Sequence, residues 1–265
     1  MPQLRLGVVQ VQPGALERVP ELVGRSEPDL LLLPEYSTFD PTGLPADDVW
    51  RRATTVEDFA ERLARLASER GAHVAGGFLE RGPRPRVYST AIVVAPDGRV
   101  VGAYRKTHLF DAYGFRESEF AEPGSELSQV LDIRGVRVAL AVCFELRFPE
   151  VFRELALAGA ELAAVPAAWY AGPLKEEALR VLARARAVEN GMFVAVSALY
   201  GQRFTGRSLV VDPLGVVVAD LGVGERYAEV LVDTSMVSEA RRLVPSLQLR
   251  RPELYRRLCG DGRRD

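Results

Sequence analysis

Glu35, Lys106 and Cys143 each stand just past the end of an apolar run of this sequence. Glu35 follows residues 30–33, Lys106 follows residues 100–104 and Cys143 follows residues 136–142. A carboxylate, an ammonium and a thiol that converge at one sheet edge make a nucleophilic site. The carboxylate takes the thiol proton, the sulfur attacks an electrophilic carbon, and the ammonium holds the negative charge that develops. The run that ends at Cys143 gives way to a helical pattern over residues 151–160. A thiol at such a junction is expected to ionise readily, because N–H groups at a helix start favour negative charge. Taken singly, the three residues have plainer readings: a small core cysteine, a capping glutamate, and a surface lysine beside Arg105. His108, two residues beyond Lys106, offers a competing Cys–His mechanism, against a plain loop histidine. The loop acids Glu117 and Glu119 read as solvated by default.

The elements that must position these groups can be read from periodicity. Residues 4–11 and 29–33 read as strands, with a weak helix over 15–24 that contains Pro20. After a Pro- and Gly-rich loop at 40–45, Thr55 and Asp58 open a helix that Gly71 closes. Residues 72–79 form a strand in which Gly76-Gly77 imply close backbone approach or a bulge. Three hairpins follow from turn residues, at Pro96-Asp97-Gly98, Arg134-Gly135 and Pro213-Leu214-Gly215. The polar stretch from Lys106 to Gly124 is too long for a simple connection, which marks it as functional. Strands at 161–167 and 193–199 flank a helix over 174–190, and a strand at 229–232 precedes a last helix from Ser235 to Leu243. Hairpins and βα units alternate with no linker between them. The expected fold is therefore one α/β domain over residues 1–265, with two packed sheets and helices outside. The polar tail at 245–265 is expected to dock on a partner subunit.

Composition narrows the function classes. A formal net charge of −2 argues against a nucleic-acid or membrane-surface protein. Two cysteines, Cys143 and Cys259, exclude a disulfide framework and fit a reducing, cytoplasmic compartment. The first residues lack the pattern of a signal peptide, and no apolar run reaches the length of a membrane span. Only two histidines, His73 and His108, are present, so a histidine-rich metal centre is not expected.

Three segments carry a family resemblance: Leu33-Pro34-Glu35, Tyr104-Arg105-Lys106-Thr107-His108-Leu109-Phe110, and Val142-Cys143-Phe144-Glu145-Leu146-Arg147-Phe148-Pro149-Glu150. They resemble the signature segments of the nitrilase superfamily, the carbon–nitrogen hydrolases. Phe115-Arg116-Glu117-Ser118, Val165-Pro166-Ala167-Ala168-Trp169 and the stretch Ala183 to Asn190 match further, in the family's order. The resemblance implies a four-layer α-β-β-α sandwich. It also implies Glu35 as general base, Lys106 as stabiliser of the tetrahedral intermediate and Cys143 as nucleophile. Glu117 matches the family's second site glutamate, with Glu119 as the alternative two residues on. Homodimers built on the helices after the nucleophile and near the Ala-Arg-Ala-x-Glu-Asn segment are implied too, with no cofactor or metal. The sequence departs from many amidases at Tyr88-Ser89-Thr90, at Cys143-Phe144-Glu145 and at Lys175-Glu176-Glu177, where many members carry His-Trp.

The expected reaction is hydrolysis of a non-peptide carbon–nitrogen bond through a cysteine thioester. The small-molecule substrate is expected to be a linear amide, the ω-amide of a dicarboxylic acid, which water converts to carboxylate and ammonia. The Phe144 N–H and Lys106 are expected to hold the oxyanion. Arg147 and Trp169 are expected to line the pocket, with Arg147 facing a substrate carboxylate. N-carbamoyl compounds and nitriles are the alternative substrates. A catalytically silent binding protein is the alternative of another class.

Overall fold

The computed structural model describes residues 1–255. Its first sheet contains β1 (Gln3–Gln10), β2 (Leu30–Leu32), β3 (His73–Arg81), β4 (Val87–Val94), β5 (Val100–Arg105) and β12 (Arg226–Asp233), in the order β12-β1-β2-β3-β4-β5. The second contains β6 (Leu131–Ile133), β7 (Val136–Leu140), β8 (Leu162–Ala167), β9 (Phe193–Ala198), β10 (Leu209–Val211) and β11 (Val217–Asp220), in the order β11-β10-β9-β8-β7-β6. Both follow one plan: three parallel strands, one antiparallel strand on one side and two on the other. In this plan β2 and β8 occupy corresponding central places.

The short leucine strand shows why the sheets stack. Successive strand residues face opposite ways. Leu30 and Leu32 join the core between the sheets with Val138, Leu140 and Leu162. Leu31 and Leu33 face outward, onto Phe59 and Leu63 of α3 (Val56–Arg70). A strand covered on both faces needs apolar residues throughout, which explains the uninterrupted run. On the second sheet, α4 (Pro149–Leu157) and α5 (Lys175–Asn190) cover the outer face. The result is the four-layer α-β-β-α sandwich.

Local signals behave as chemistry dictates. The Thr55 side chain accepts from the Asp58 N–H at the start of α3, and Gly71 closes it with φ +60°. The three expected hairpins form. Gly76 and Gly77 sit in unbroken register with Ile92 and Ala91, so the glycine pair serves close approach and not a bulge.

The structure departs from the sequence reading at residues 15–24, before α3 and at Cys143. Residues 15–24 split into a short 3-10 turn, Leu16–Arg18, and α1 (Val19–Val23), with Pro20 in the first turn, where its missing N–H is not needed. A helix unseen in the sequence, α2 (Ala46–Arg52), fills the gap before α3; it buries little besides Val49, so its apolar stripe is weak. Cys143 does not begin an α-helix. It opens a 3-10 turn, Cys143–Arg147, and α4 starts only at Pro149, which fixes φ at its first position. At the start of the tail, Ser246 Oγ donates to the Glu189 carbonyl at 3.1 Å and Leu247 packs against the core. Cys259 lies outside the described residues, as does the rest of that tail beyond Tyr255. Among the described residues no helix is long and apolar enough to cross a membrane.

Candidate active site

Cys143 leaves β7 through Ala141 and Val142 and takes φ +47°, a left-handed conformation that strains a residue with a Cβ by roughly 1–2 kcal/mol. The surroundings hold it there. Glu145, fully buried, accepts from the Val142 N–H at 2.8 Å with one oxygen. Its other oxygen accepts from the Tyr104 hydroxyl at 2.6 Å, and from the Thr107 N–H at 2.8 Å and hydroxyl at 2.7 Å. This carboxylate ties the end of β7 to the end of β5, so Cys143 and Lys106 are positioned by one group. Burial pushes Glu145 up, but the bonds from His108, Tyr104, Val142 and Thr107 outweigh it and hold the carboxyl below its ordinary range.

Lys106, 1% exposed, is fixed by its N–H donating to the Ser89 carbonyl at 2.8 Å, one step beyond β5. Its ammonium donates to Glu35 Oε1 at 3.0 Å and to Glu117 Oε2 at 2.8 Å. Glu35 also accepts from Ser89 Oγ at 3.0 Å and, across the two sheets, from the Ala168 N–H at 2.9 Å. Glu35 follows β2 and Ala168 follows β8, so the contact joins the corresponding ends of the two sheets. Glu117 accepts from the Tyr36 hydroxyl and from the Phe110 N–H, each at 2.7 Å. The structure thus brings Glu35, Lys106, Cys143 and Glu117 into one buried cluster. Glu119 is exposed, so the place beside Lys106 belongs to Glu117.

The electrostatics differ from the expectation for the thiol. Burial first, and then the Glu35 charge, push the Cys143 thiol well above its ordinary range, against a smaller opposing pull from Lys106. The short turn at Cys143 lacks the aligned N–H groups of a long helix. The thiol therefore rests protonated, beside the Glu35 carboxylate. Burial and the Glu117 charge raise Glu35, although Lys106 opposes them. Burial also works against the Lys106 ammonium, but Glu117 and Glu35 outweigh it and hold it charged. A base raised toward neutrality beside a neutral thiol suits transfer of the proton as the sulfur attacks.

Above Cys143 opens a small cavity, lined among others by Phe144, Arg147, Trp169, Tyr170 and Lys175. Phe144 stands in the first turn after Cys143, ahead of the first bond of that turn, from the Glu145 N–H to the Val142 carbonyl. Arg147 lies over the Trp169 ring, 5.4 Å from its centre. The indole N–H donates to the Lys175 carbonyl at 2.9 Å, which ties Trp169 to the start of α5. His108 is placed elsewhere: it stacks on Phe148 at 3.9 Å and faces Glu145. Tyr36, Tyr170, Lys175 and Glu145 were not expected from the sequence as site residues. Glu145 had a signal, an acid two residues past the nucleophile; the tyrosines and Lys175 join the site only by folding.

A four-layer sandwich with a buried Glu–Lys–Cys cluster under a small cavity defines a cysteine-dependent hydrolase. Comparison with known proteins gives the same class. The model of the family described as carbon-nitrogen hydrolase matches residues 14–242. Deaminated glutathione amidase of Mus musculus is 35% identical over 243 residues, covering 85% of this chain and 74% of that protein. The crystal structure of a carbon-nitrogen hydrolase from Helicobacter pylori G27 superposes with a TM-score of 0.86 over 97% of this chain and 99% of that one; at 23% identity this speaks for the fold alone. A mutant amidase of Nesterenkonia sp. AN1, with the acetamide moiety of fluoroacetamide bound at its active-site cysteine, is 27% identical with a TM-score of 0.81 and 97% of both chains covered. The chain belongs to the carbon–nitrogen hydrolase family, the nitrilase superfamily. It is an enzyme of the amidase type, hydrolysing the carbon–nitrogen bond of an amide.

Proposed function

We propose that the substrate is the ω-amide of a dicarboxylic acid, hydrolysed to the dicarboxylate and ammonia through a thioester on Cys143. The supporting observation is Arg147: it lines the cavity above Cys143, and among the described residues no carboxylate pairs with it. A guanidinium in that position is suited to a substrate carboxylate, which it can hold bidentately.

The steps follow from the cluster. Cys143 Sγ bonds to the amide carbon while its proton passes to Glu35, and the C=O electrons move onto oxygen. Lys106 and the Phe144 N–H hold that oxyanion; one such donor is typically worth ~3–4 kcal/mol. The C–N bond then breaks, with the nitrogen taking the Glu35 proton and leaving as ammonia. Water attacks the thioester and gives a proton to Glu35. The C–S bond breaks, and the proton returns to the sulfur. Glu117, engaged by Tyr36, Phe110 and Lys106, keeps the ammonium aimed.

The test is kcat/KM for succinamate against butyramide. Arg147→Lys should lower use of succinamate about tenfold more than use of butyramide, because lysine lacks the planar fork. Equal losses on both would make Arg147 structural. Deaminated glutathione belongs on the same panel, given the name of relatives at 35% and 36% identity over 85% and 74% of this chain, as do N-carbamoyl amino acids and aliphatic nitriles. Two further features belong to this reading. A homodimer is supported by an exposed apolar face on α5, Val181 and Val188, beside Leu214 and Val216. A cytoplasmic location suits a nucleophilic thiol that must stay reduced.

A further inference from the structure

Lys175 is the first residue of α5 and only 8% exposed, yet among the described residues no carboxylate pairs with its ammonium. A buried cation without a counter-charge is costly to keep and calls for an anion. The ammonium lies instead on ring faces, 3.6 Å from the centre of Tyr113 and 5.3 Å from that of Phe110. A ring face is a weaker counter-charge than a carboxylate, so this contact is exchangeable. Tyr113 is itself a loop-tip residue, 72% exposed, in the turn between the short strands Asp111–Ala112 and Phe115–Arg116. Lys175 also shares the catalytic cavity with Arg147. Arg147 and Lys175 flank one indole, 5.4 Å and 5.9 Å from the centre of Trp169. Two cations around one ring, neither paired with a carboxylate among the described residues, repel each other until a ligand supplies negative charge. Burial, and then the Arg147 charge, push the Lys175 ammonium down from the ordinary lysine range, which reports the same shortage.

We propose that Lys175 is a second anion anchor of the substrate pocket, selecting amides that carry a further carboxylate beyond the one held by Arg147. The proposal deepens the ω-amide reading and rests on it. The free enzyme parks the ammonium on Tyr113. A dianionic amide draws it inward, with its second carboxylate taking the place of the ring.

The experiment compares kcat/KM for tricarballylate monoamide, which carries two carboxylates, with that for glutaramate, which carries one. The unmutated enzyme should prefer the dianionic amide, and added salt should weaken use of it more steeply than use of glutaramate. Lys175→Met should lower the preference about tenfold or more, mainly through KM, while Lys175→Arg retains it. The Trp169 bond to the Lys175 backbone carbonyl survives both changes, so the indole keeps its tie to α5. Equal salt slopes, no preference in the unmutated enzyme, or a smaller fall in Lys175→Met would overturn the proposal. Should Lys175→Met fail to fold, the salt slopes decide alone. Failure of the ω-amide reading looks different, because glutaramate itself would then be indifferent to Arg147→Lys.

Discussion

On the proposed mechanism Glu35 carries the heaviest chemical load of any single residue, and its environment sets the pH at which it would work. It must be deprotonated to receive the thiol proton. Burial and the Glu117 charge raise it above the ordinary carboxylate value of about 4.3. Protonation below that raised value removes the base, so kcat/KM should rise with pH through an acid limb displaced above the ordinary range. An acid limb at or below about pH 4 would contradict this. The same residue separates two mechanisms. Glu35→Gln should lower kcat by roughly 10²–10⁴ in a protein that still folds, while His108→Ala should retain a substantial fraction of activity. His108 faces Glu145 and Phe148, so removing it loosens one prop of the thiol turn and no proton acceptor. The reverse ranking, read from steady-state rates, would favour a Cys–His enzyme.

At the scale of elements, the site depends on how closely β3 passes beneath the turn after β2. The Gly77 N–H donates to the Pro34 carbonyl, and the Ser37 N–H donates to the Gly77 carbonyl, both at 3.0 Å. A Cβ at Gly77 would lie 2.8 Å from the Glu35 Cα and 3.3 Å from the Pro166 Cβ. The first neighbour is backbone and cannot rotate aside. Gly76 faces the other way, where an added Cβ would meet the Leu33 side chain at 3.2 Å. Gly77→Ala should therefore displace Glu35 and cut kcat about tenfold or more, besides a stability loss of ~1–3 kcal/mol. Gly76→Ala should lower Tm with a much smaller change in kcat. If the two variants lose activity and Tm in the same proportion, the close approach at Gly77 does not position the base.

The whole molecule is a pair of similar sheets with the chemistry gathered where their central strands end. Its outer helices are unequal in their exposure. Val181 and Val188, seven residues apart on α5, share a face and are 53% and 51% exposed. Arg184 Nε donates to the Gly215 carbonyl at 2.8 Å, which brings the turn carrying Leu214 and Val216 against the same helix. In the proposed dimer these exposed apolar side chains, with Arg184 between Val181 and Val188, are what a second copy of the chain would cover. Val188→Glu should shift the protein from dimer to monomer in analytical ultracentrifugation. A protein that sediments as a monomer without the substitution would rule the interface out.

The strands, their hairpin turns and the three residues that follow apolar runs are legible in the amino-acid order, because each depends on neighbours a few positions away. Thr55, Gly71 and the glycine-bearing turns act locally, and their chemistry is legible one window at a time. The family segments added Glu117 and the sandwich. Folding alone decided which of these groups meet. Glu35 meets Ala168 because β2 and β8 hold corresponding places in two different sheets, a relation no short window contains. The state of the thiol was also a tertiary outcome: local sequence promised a helix start that would ease ionisation, whereas burial beside Glu35 keeps the proton on sulfur. Lys175 falls in the helix read over 174–190, and only the packing of α5 against Trp169, with Tyr113 reaching over from a distant hairpin, leaves it in the cavity above Cys143 with no carboxylate partner among the described residues. Burial and charge pairing sum over the whole chain, so they are settled where segments far apart in sequence come together.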